Sequence, residues 1–503
     1  MLKQNSAEYR GYRTPGIRLK EEMIPHLGKV YSNRTQSMLP ALHAFDQAHT
    51  IMLIEQGVLP RETGIAVLRS IRKMEEEGVV AARMRVGGGL HSGEHYVIRD
   101  LGEEIGGRFH VARSSGDLSS VAINVLQREH CLAVLEGINR FRSMLLKLIP
   151  KHTGSILPGY SFGQHAQPMT FAHLWLSWVA TLERDFARIH GAYQRVNTSP
   201  AGAAIMVGSD FPIDRERTAD LLGFDAVHEN CADAILELTA DDSLEVPMVF
   251  SILCHSMAKW ADDLILWTTR EFDFVEIPDR FCGTSSIMMQ KKNVIGPAEL
   301  KANSAEAIAC VVSSYHALKG PTGLPINERY QALDMLWRVG ESLVAHMDWF
   351  GEFLPELTIR TDYLREHSWR HWATATDLAS ALVRGRDMPW RTAHQIVGIL
   401  VRLSEERGLT PADVTPELLD EAAMLYHEKP VGFTREEIMT ALDPVLFVEK
   451  RTLLGGPAPD ESLRQVGVFS ARLEADEAIV EGIQTRLAAA ETKLRSTVDE
   501  LIA

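Results

Sequence analysis

Cysteine is scarce and scattered in this chain. The five residues, Cys131, Cys231, Cys254, Cys282 and Cys310, form neither a CxxC pair nor a cluster with histidine. A disulfide framework and a structural zinc site are thereby disfavoured, and a reducing, cytoplasmic setting is expected. A long uncharged apolar run is missing as well. The best stretch, Val246 to Trp267, contains Lys259, Asp262 and Asp263, so no membrane span is expected. The opening MLKQNSAEYRGYRTPG lacks the apolar centre of a signal peptide. Positive charge is in the minority, with 52 Lys and Arg against 67 Asp and Glu and a net charge of -15. No basic stripe is available to neutralise phosphates, which argues against a nucleic-acid partner. A small anionic substrate remains compatible, because a few local lysines outweigh a distant net charge. Neither a phosphate-cradling glycine loop nor an HExxH pair is present, so neither nucleotide nor metal is expected.

Strand-like alternation is also nearly absent, and the three-to-four spacing of helices fills most of the 503 residues. Leu132, Leu135, Ile138, Phe141, Leu145 and Leu148 mark one face of a helix from about Ser119 to Leu148. At 1.5 Å per residue such a helix is roughly 45 Å long, too long for one small domain. Comparable patterns at Phe171 to Val196, Pro247 to Thr269, Ala298 to Leu318 and Tyr330 to Phe353 predict a central bundle of long helices. Two helical patterns precede it between Met38 and Gly78, and shorter ones follow at Ala373 to Val383, Trp390 to Arg407 and Pro416 to His427. The expected layout is all-α: an N-terminal helical domain (1–115), the bundle (116–368), a small C-terminal helical domain (369–455) and a tail (456–503). Its Ala, Glu, Lys and Arg content marks the tail as one exposed or partner-bound helix.

Three polar, glycine-bearing segments interrupt the helices: His110 to Ser120, Leu157 to Pro168 and Phe281 to Asn293. Each is too polar for core and reads as a loop at a bundle end. The last, FCGTSSIMMQKKN, joins adjacent hydroxyls to a lysine pair. Helices this long and apolar complete their burial by oligomerising, and loops from different subunits can then meet.

GTSSIMMQKKN resembles the G-S-S-x-M-P-x-K-x-N signature of the fumarase/aspartase superfamily, and its Q-K-K-N ending is similar to the argininosuccinate lyase branch. Thr284 and Met289 stand where that signature has glycine and proline. FPIDRERTADLLGFD (Phe211 to Asp225) followed by Glu229-Asn230, ADDLILW (Ala261 to Trp267), FVEKRTLLGGPAP (Phe447 to Pro459) and ATDLASALVRG with WRTAHQIVG extend the resemblance over roughly Pro40 to Pro459. It implies three helical domains, a homotetramer with each active site built from three subunits, and no cofactor. The implied reaction is anti elimination from a succinyl group, releasing fumarate and an amine. By position in the motif, Ser285 is the base that takes a proton from the carbon beside a carboxylate. A serine hydroxyl is far too weakly acidic for this unless the amides and cations of its own loop favour the alkoxide. Lys291 and Asn293 match the family's carboxylate and oxyanion contacts, and Ser286 and Met288 its substrate-facing positions.

The departures bear on specificity. Where the family reads H-T-G-R-S-R-N-D, this chain has His110 to Asp117: Arg113 and Ser114 remain, but Ser115 and Gly116 replace an arginine and an asparagine that grip carboxylates. Ser115 still donates a hydrogen bond but brings no charge. Where the family reads G-Y-T-H-L-Q-R-A-Q-P, Ser161 keeps the hydroxyl, Gln164 keeps the amide, and Phe162 removes the histidine that assists proton transfer. His165 is the candidate to replace it, against the commoner role of a histidine that caps a loop; His91 and His95 are further candidates. In the segment that grips the amino-acid end of argininosuccinate, a tyrosine becomes Glu328, a glutamine Leu333 and a lysine Leu336; Leu236 to Thr239 replaces an S-D-R-D run. Each missing charged contact is worth roughly 1 to 3 kcal/mol. Three readings stay open: a lyase for another N-substituted aspartate, a lyase of this fold with a non-succinyl substrate, and a catalytically silent homologue.

Overall fold

A computed structural model describes residues 36–323 and 333–503, together with residues 18, 20 and 21. Glu328 and the rest of 324–332 lie outside the described residues. The architecture is all-α. Five long helices, Ser115–Leu148, Phe171–Val196, Leu238–Trp267, Ile295–Ala317 and Leu333–Phe353, pack side by side. Their inward faces share one core that includes Val121, Leu135, Phe141, Trp175, Phe250 and Phe350. A second, separate core around Leu378, Leu382, Ile396, Leu400, Leu419 and Ile438 belongs to the shorter helices Ala375–Arg386, Trp390–Glu406, Pro416–His427 and Arg435–Leu442.

The longest bundle helix starts earlier than its apolar spacing shows. Ser114 has an extended backbone, its Oγ accepts the N–H of Gly116 and Asp117, and the Asp117 carboxylate accepts the Ser114 N–H in return. This reciprocal cap fixes the start at Ser115, so the His110 to Ser120 segment is a loop only as far as Ser114. The third long helix likewise begins before Pro247, entering from a π-helical turn at Asp233–Glu237.

Two of the expected loops contain hairpins. Ile156–Ser161 pairs antiparallel with Gln164–Thr170, and Cys282–Thr284 with Lys292–Val294. Phe162 and Gly163 make the first turn with φ of 53° and 71°, the left-handed pair that a two-residue hairpin needs. Strands this short carry too few alternations to stand out in the sequence.

The tail differs from its expectation as an exposed or partner-bound helix. Pro459–Ile502, 44 residues and about 66 Å long, lies along Ser115–Leu148 and Phe171–Val196 and over the Leu39–Glu55 and Arg61–Glu76 helices. Leu473, Val480, Ile483, Leu494 and Val498 are buried there. Their heptad-like spacing was diluted by the surrounding Ala, Glu and Arg. The fully buried Arg142 donates to Asp476 of the tail at 2.5 Å.

The topology separates the polar segments. Ser114 and Ser115 sit at the start of a 34-residue helix, with Ala204 N–H donating to Asp117 and Gly116 pressed against Ile205 and Ile235. The Ile156–Thr170 hairpin lies beyond that helix's far end, about 50 Å away. There Tyr160 meets Phe272 and Phe274, His165 meets His367 and His371, and Phe281 meets Trp349 and Phe353. The Ser285 hairpin and the His165 hairpin thus share one end of the bundle, and the Ser114–Ser115 segment occupies the other.

Candidate active site

The Cys282–Thr284 and Lys292–Val294 strands hold residues 285–291 as a tip. The half-buried Ser285 turns its Oγ back into this tip, where it accepts the N–H of Met288 at 3.0 Å and of Ile287 at 3.4 Å. Amide dipoles aimed at a hydroxyl oxygen favour its deprotonated form. Ser286, Met288 and Lys291 are exposed on the same tip, and Asn293 is held in the strand opposite Gly283. A cavity of about 510 Å³ opens beside it, lined among others by Thr268, Asp273, Glu276, Lys291, Lys292 and Arg360. The two lysines are not equivalent. Lys292 Nζ sits 2.8 Å from Asp279 and 3.6 Å from Glu276, and Asp279 raises its pKa. Lys291 instead hydrogen-bonds through its backbone N–H to the Met288 carbonyl, closing the turn.

At the same end, His165 Nε2 lies 3.1 Å from the Tyr160 hydroxyl, and its ring stands 4.8 Å from those of both His367 and His371. Burial, reinforced by the two histidines, lowers its pKa to about 4, so it is a neutral imidazole near pH 7. Burial and Tyr363 push Tyr160 up to about 12. Ser161 and Gln164 pair across the hairpin tip and are exposed, and Phe162 projects fully into solvent. His367 and His371 escaped the sequence reading because only tertiary packing brings them to His165.

At the opposite end the Arg113 side chain is 1% exposed and its guanidinium pairs with Asp46 at 2.7 Å, over the Phe109 ring. Asp46 also binds the fully buried Arg83, and although burial raises its pKa, the two guanidinium groups outweigh this and hold it low. Arg113 therefore anchors the segment from inside. Ser114 is engaged in capping, whereas Ser115 is exposed and its Oγ lies 2.9 Å from His91 Nε2. His91 Nδ1 is 3.1 Å from Glu94, which also faces His110 at 3.6 Å. Burial and the Arg113 charge lower the His110 pKa to about 4. Leu333 and Leu336, which replace polar residues of the resembled family, are buried in the bundle.

Comparison with known proteins accords with this geometry. A family model described as lyase matches residues 67–309, and one described as argininosuccinate lyase C-terminal matches residues 372–449. The argininosuccinate lyase of Methanosarcina acetivorans is 35% identical over 483 residues, 95% of this chain and 96% of the relative. That of Methanothrix thermoacetophila is 35% identical over 464 residues, 91% of each. Among solved structures, an EDDS lyase variant with bound fumarate superposes with a TM-score of 0.84 at 25% identity, covering 96% of this chain and 97% of the other. EDDS lyase in complex with formate gives the same TM-score and identity over 96% of each chain.

Proposed function

The chain belongs to the argininosuccinate lyase branch of the fumarase/aspartase superfamily and is a fumarate-releasing carbon–nitrogen lyase, and from that premise we propose that it cleaves an N-substituted aspartate other than argininosuccinate. Ser285 takes the proton from the carbon next to the succinyl carboxylate. The electron pair left behind spreads into that carboxylate as an aci-dianion, which needs fixed donors; the C–N bond then breaks, and the amine leaves as fumarate forms. The observation that carries this reading is the seat of Ser285 Oγ, which accepts two backbone N–H groups of its own loop beside a lysine-bearing cavity. Lys291 and Asn293 serve the carboxylate and the oxyanion. His165, neutral and backed by Tyr160, is the candidate for passing a proton where Phe162 has displaced the family's histidine.

The leaving amine is a polar or charged group such as an aminopolycarboxylate, an N-succinyl diamine or an N-succinyl amino acid. Buried Leu333 and Leu336 support a rebuilt amine pocket, uncharged Ser115 and Gly116 a weaker grip on a carboxylate, and the likeness to EDDS lyase makes EDDS the first compound to try.

The site is completed by other copies of the chain. One bundle is about 50 Å long, so Ser114 and Ser115 meet the Ser285 tip only when a second copy runs antiparallel beside it. Exposed Met248 and Ile252 on one helix, with Ile308, Val312 and Tyr315 on its packed neighbour, supply an apolar face for such a contact. The number of copies we propose, four, is the one that the family resemblance implies.

The test is incubation of the protein with fumarate and a panel of amines, ethylenediamine and amino acids included, with argininosuccinate run in parallel. Loss of fumarate absorbance with an adduct of matching mass is expected for a diamine or amino acid. Turnover confined to argininosuccinate would overturn the substrate assignment.

A further inference from the structure

His91, Glu94 and His110 form a cluster outside the Ser285 end. His91 immediately precedes the Ser92–Leu101 helix, Glu94 lies in its first turn, and His110 follows the short helix after it. The helix is pressed tightly onto the buried Asp46–Arg83 pair: a Cβ at Gly93 would lie 2.0 Å from an Asp46 oxygen, so only glycine fits there. Glu94 is thereby fixed between the two imidazoles.

The spacing of the donors is that of metal ligands. One oxygen of Glu94 is 3.1 Å from His91 Nδ1 and 3.6 Å from His110 Nδ1, and the three ligand atoms lie within 4.8 Å of one another. In a tetrahedral site with bonds of about 2.0 to 2.2 Å, neighbouring ligand atoms stand roughly 3.3 to 3.6 Å apart. The second nitrogen of His91 meets the Ser115 hydroxyl at 2.9 Å, a contact that orients the ring as the outer partners of metal-bound histidines do. All three residues are partly exposed, so an ion has a way in.

We propose that His91, Glu94 and His110 bind a divalent transition-metal ion of the zinc type, with a fourth position left open. The nitrogen, nitrogen and carboxylate donor set suits Zn2+ or Co2+ and not Mg2+ or Ca2+, which take oxygen ligands. The charges around the cluster define the fourth ligand. Glu94 and Asp46 balance Arg83 and Arg113, so a divalent ion there carries an uncompensated double positive charge. A carboxylate is the natural partner. Resting on the lyase reading above, the ion brings to this segment, one imidazole ring away from Ser115, a positive charge in place of the one that an arginine supplies in the resembled family.

Metal binding is read without turnover, so its failure is separable from failure of the lyase assignment. The full-length protein, stripped with a chelator, is dialysed against Co2+ and its visible absorption recorded. One Co2+ per chain with tetrahedral ligand-field bands, bleached by Zn2+, is expected. His110→Ala and Glu94→Gln should each weaken binding at least about tenfold with helix content unchanged by circular dichroism, and Ser115→Ala should weaken it about tenfold through the loss of ring orientation. Absence of stoichiometric Co2+ in the unaltered protein would overturn the proposal. So would the same stoichiometry and spectrum in the His110→Ala, Glu94→Gln double variant, which would mean the ion sits elsewhere.

Discussion

In the proposed reaction Ser285 abstracts a carbon-bound proton, although a serine hydroxyl is ordinarily a very weak acid. Two amide N–H groups already point at its oxygen, so the arrangement of the loop, and not the serine alone, carries the acidity. Ser285→Ala should lower kcat by about a thousandfold or more while leaving KM within a few-fold, measured as fumarate release. A residue of a different kind is Asp242. It is buried, both carboxylate oxygens lack a hydrogen-bond partner among the described residues, and burial, with Glu245 and Asp241 adding to it, pushes its pKa up to about 8. The folded state thus holds a proton that the unfolded chain releases near pH 4. Stability attributable to this group falls as pH rises from about 4 to 8, by an amount on the order of a few kcal/mol. Asp242→Asn should match the parent's melting temperature near pH 4 and exceed it at pH 8; a lower value at pH 8 would refute the assignment. The motif around Ser285 is legible because it is local in sequence. The inward turn of Arg113 was not legible, because Asp46, which holds it, is remote in the chain and only folding reveals the pair.

Among the elements, Phe171–Val196 and Pro416–His427 begin and end where their apolar spacing places them. Ser115–Leu148 does not, because its start is set by the Ser114 cap and not by the apolar face. The hairpins at Ile156–Thr170 and around Ser285 were hidden by their brevity, and the tail's buried stripe by its charged company. The tail also supplies an energetic test. Arg142 is buried without exposure and Asp476 answers its charge across the helix contact. Removing one partner of a buried pair typically costs about 3 to 5 kcal/mol, because the other charge is stranded. Asp476→Ala should therefore destabilise the fold by about 3 kcal/mol in denaturant titration, whereas Arg142→Met with Asp476→Leu should recover much of that loss. Equal destabilisation by the single and double changes would show that the pair is not what joins tail to bundle.

At the scale of the whole molecule, the separation of about 50 Å between Ser115 and the far end of its helix makes the proposed sharing of sites between copies testable. Ser285→Ala and Ser115→Trp, each expected to be inactive alone, should regain part of the activity when coexpressed, since some mixed sites then draw an intact Ser285 tip and an intact Ser115 segment from different copies. Purified mixed tetramers with no more activity than either parent would count against shared sites. The all-α class and bundle were legible because long helices repeat their spacing many times. The apolar face proposed for contact between copies was not legible, since it depends on which side chains the closed bundle leaves uncovered, Ile308, Val312 and Tyr315 among them.

The Pro459–Ile502 helix reaches back to the earliest described helices: Arg69 donates to the Ile502 carbonyl at 2.8 Å, and Arg72 pairs with Asp499. The contact with Ile502 spans 433 positions. While the chain emerges from the ribosome, Leu39–Glu55 and Arg61–Glu76 must wait, one apolar flank uncovered, until this helix has been made. Closing so distant a contact is slow, and the waiting nascent chain is a natural client for chaperones that shield apolar surface.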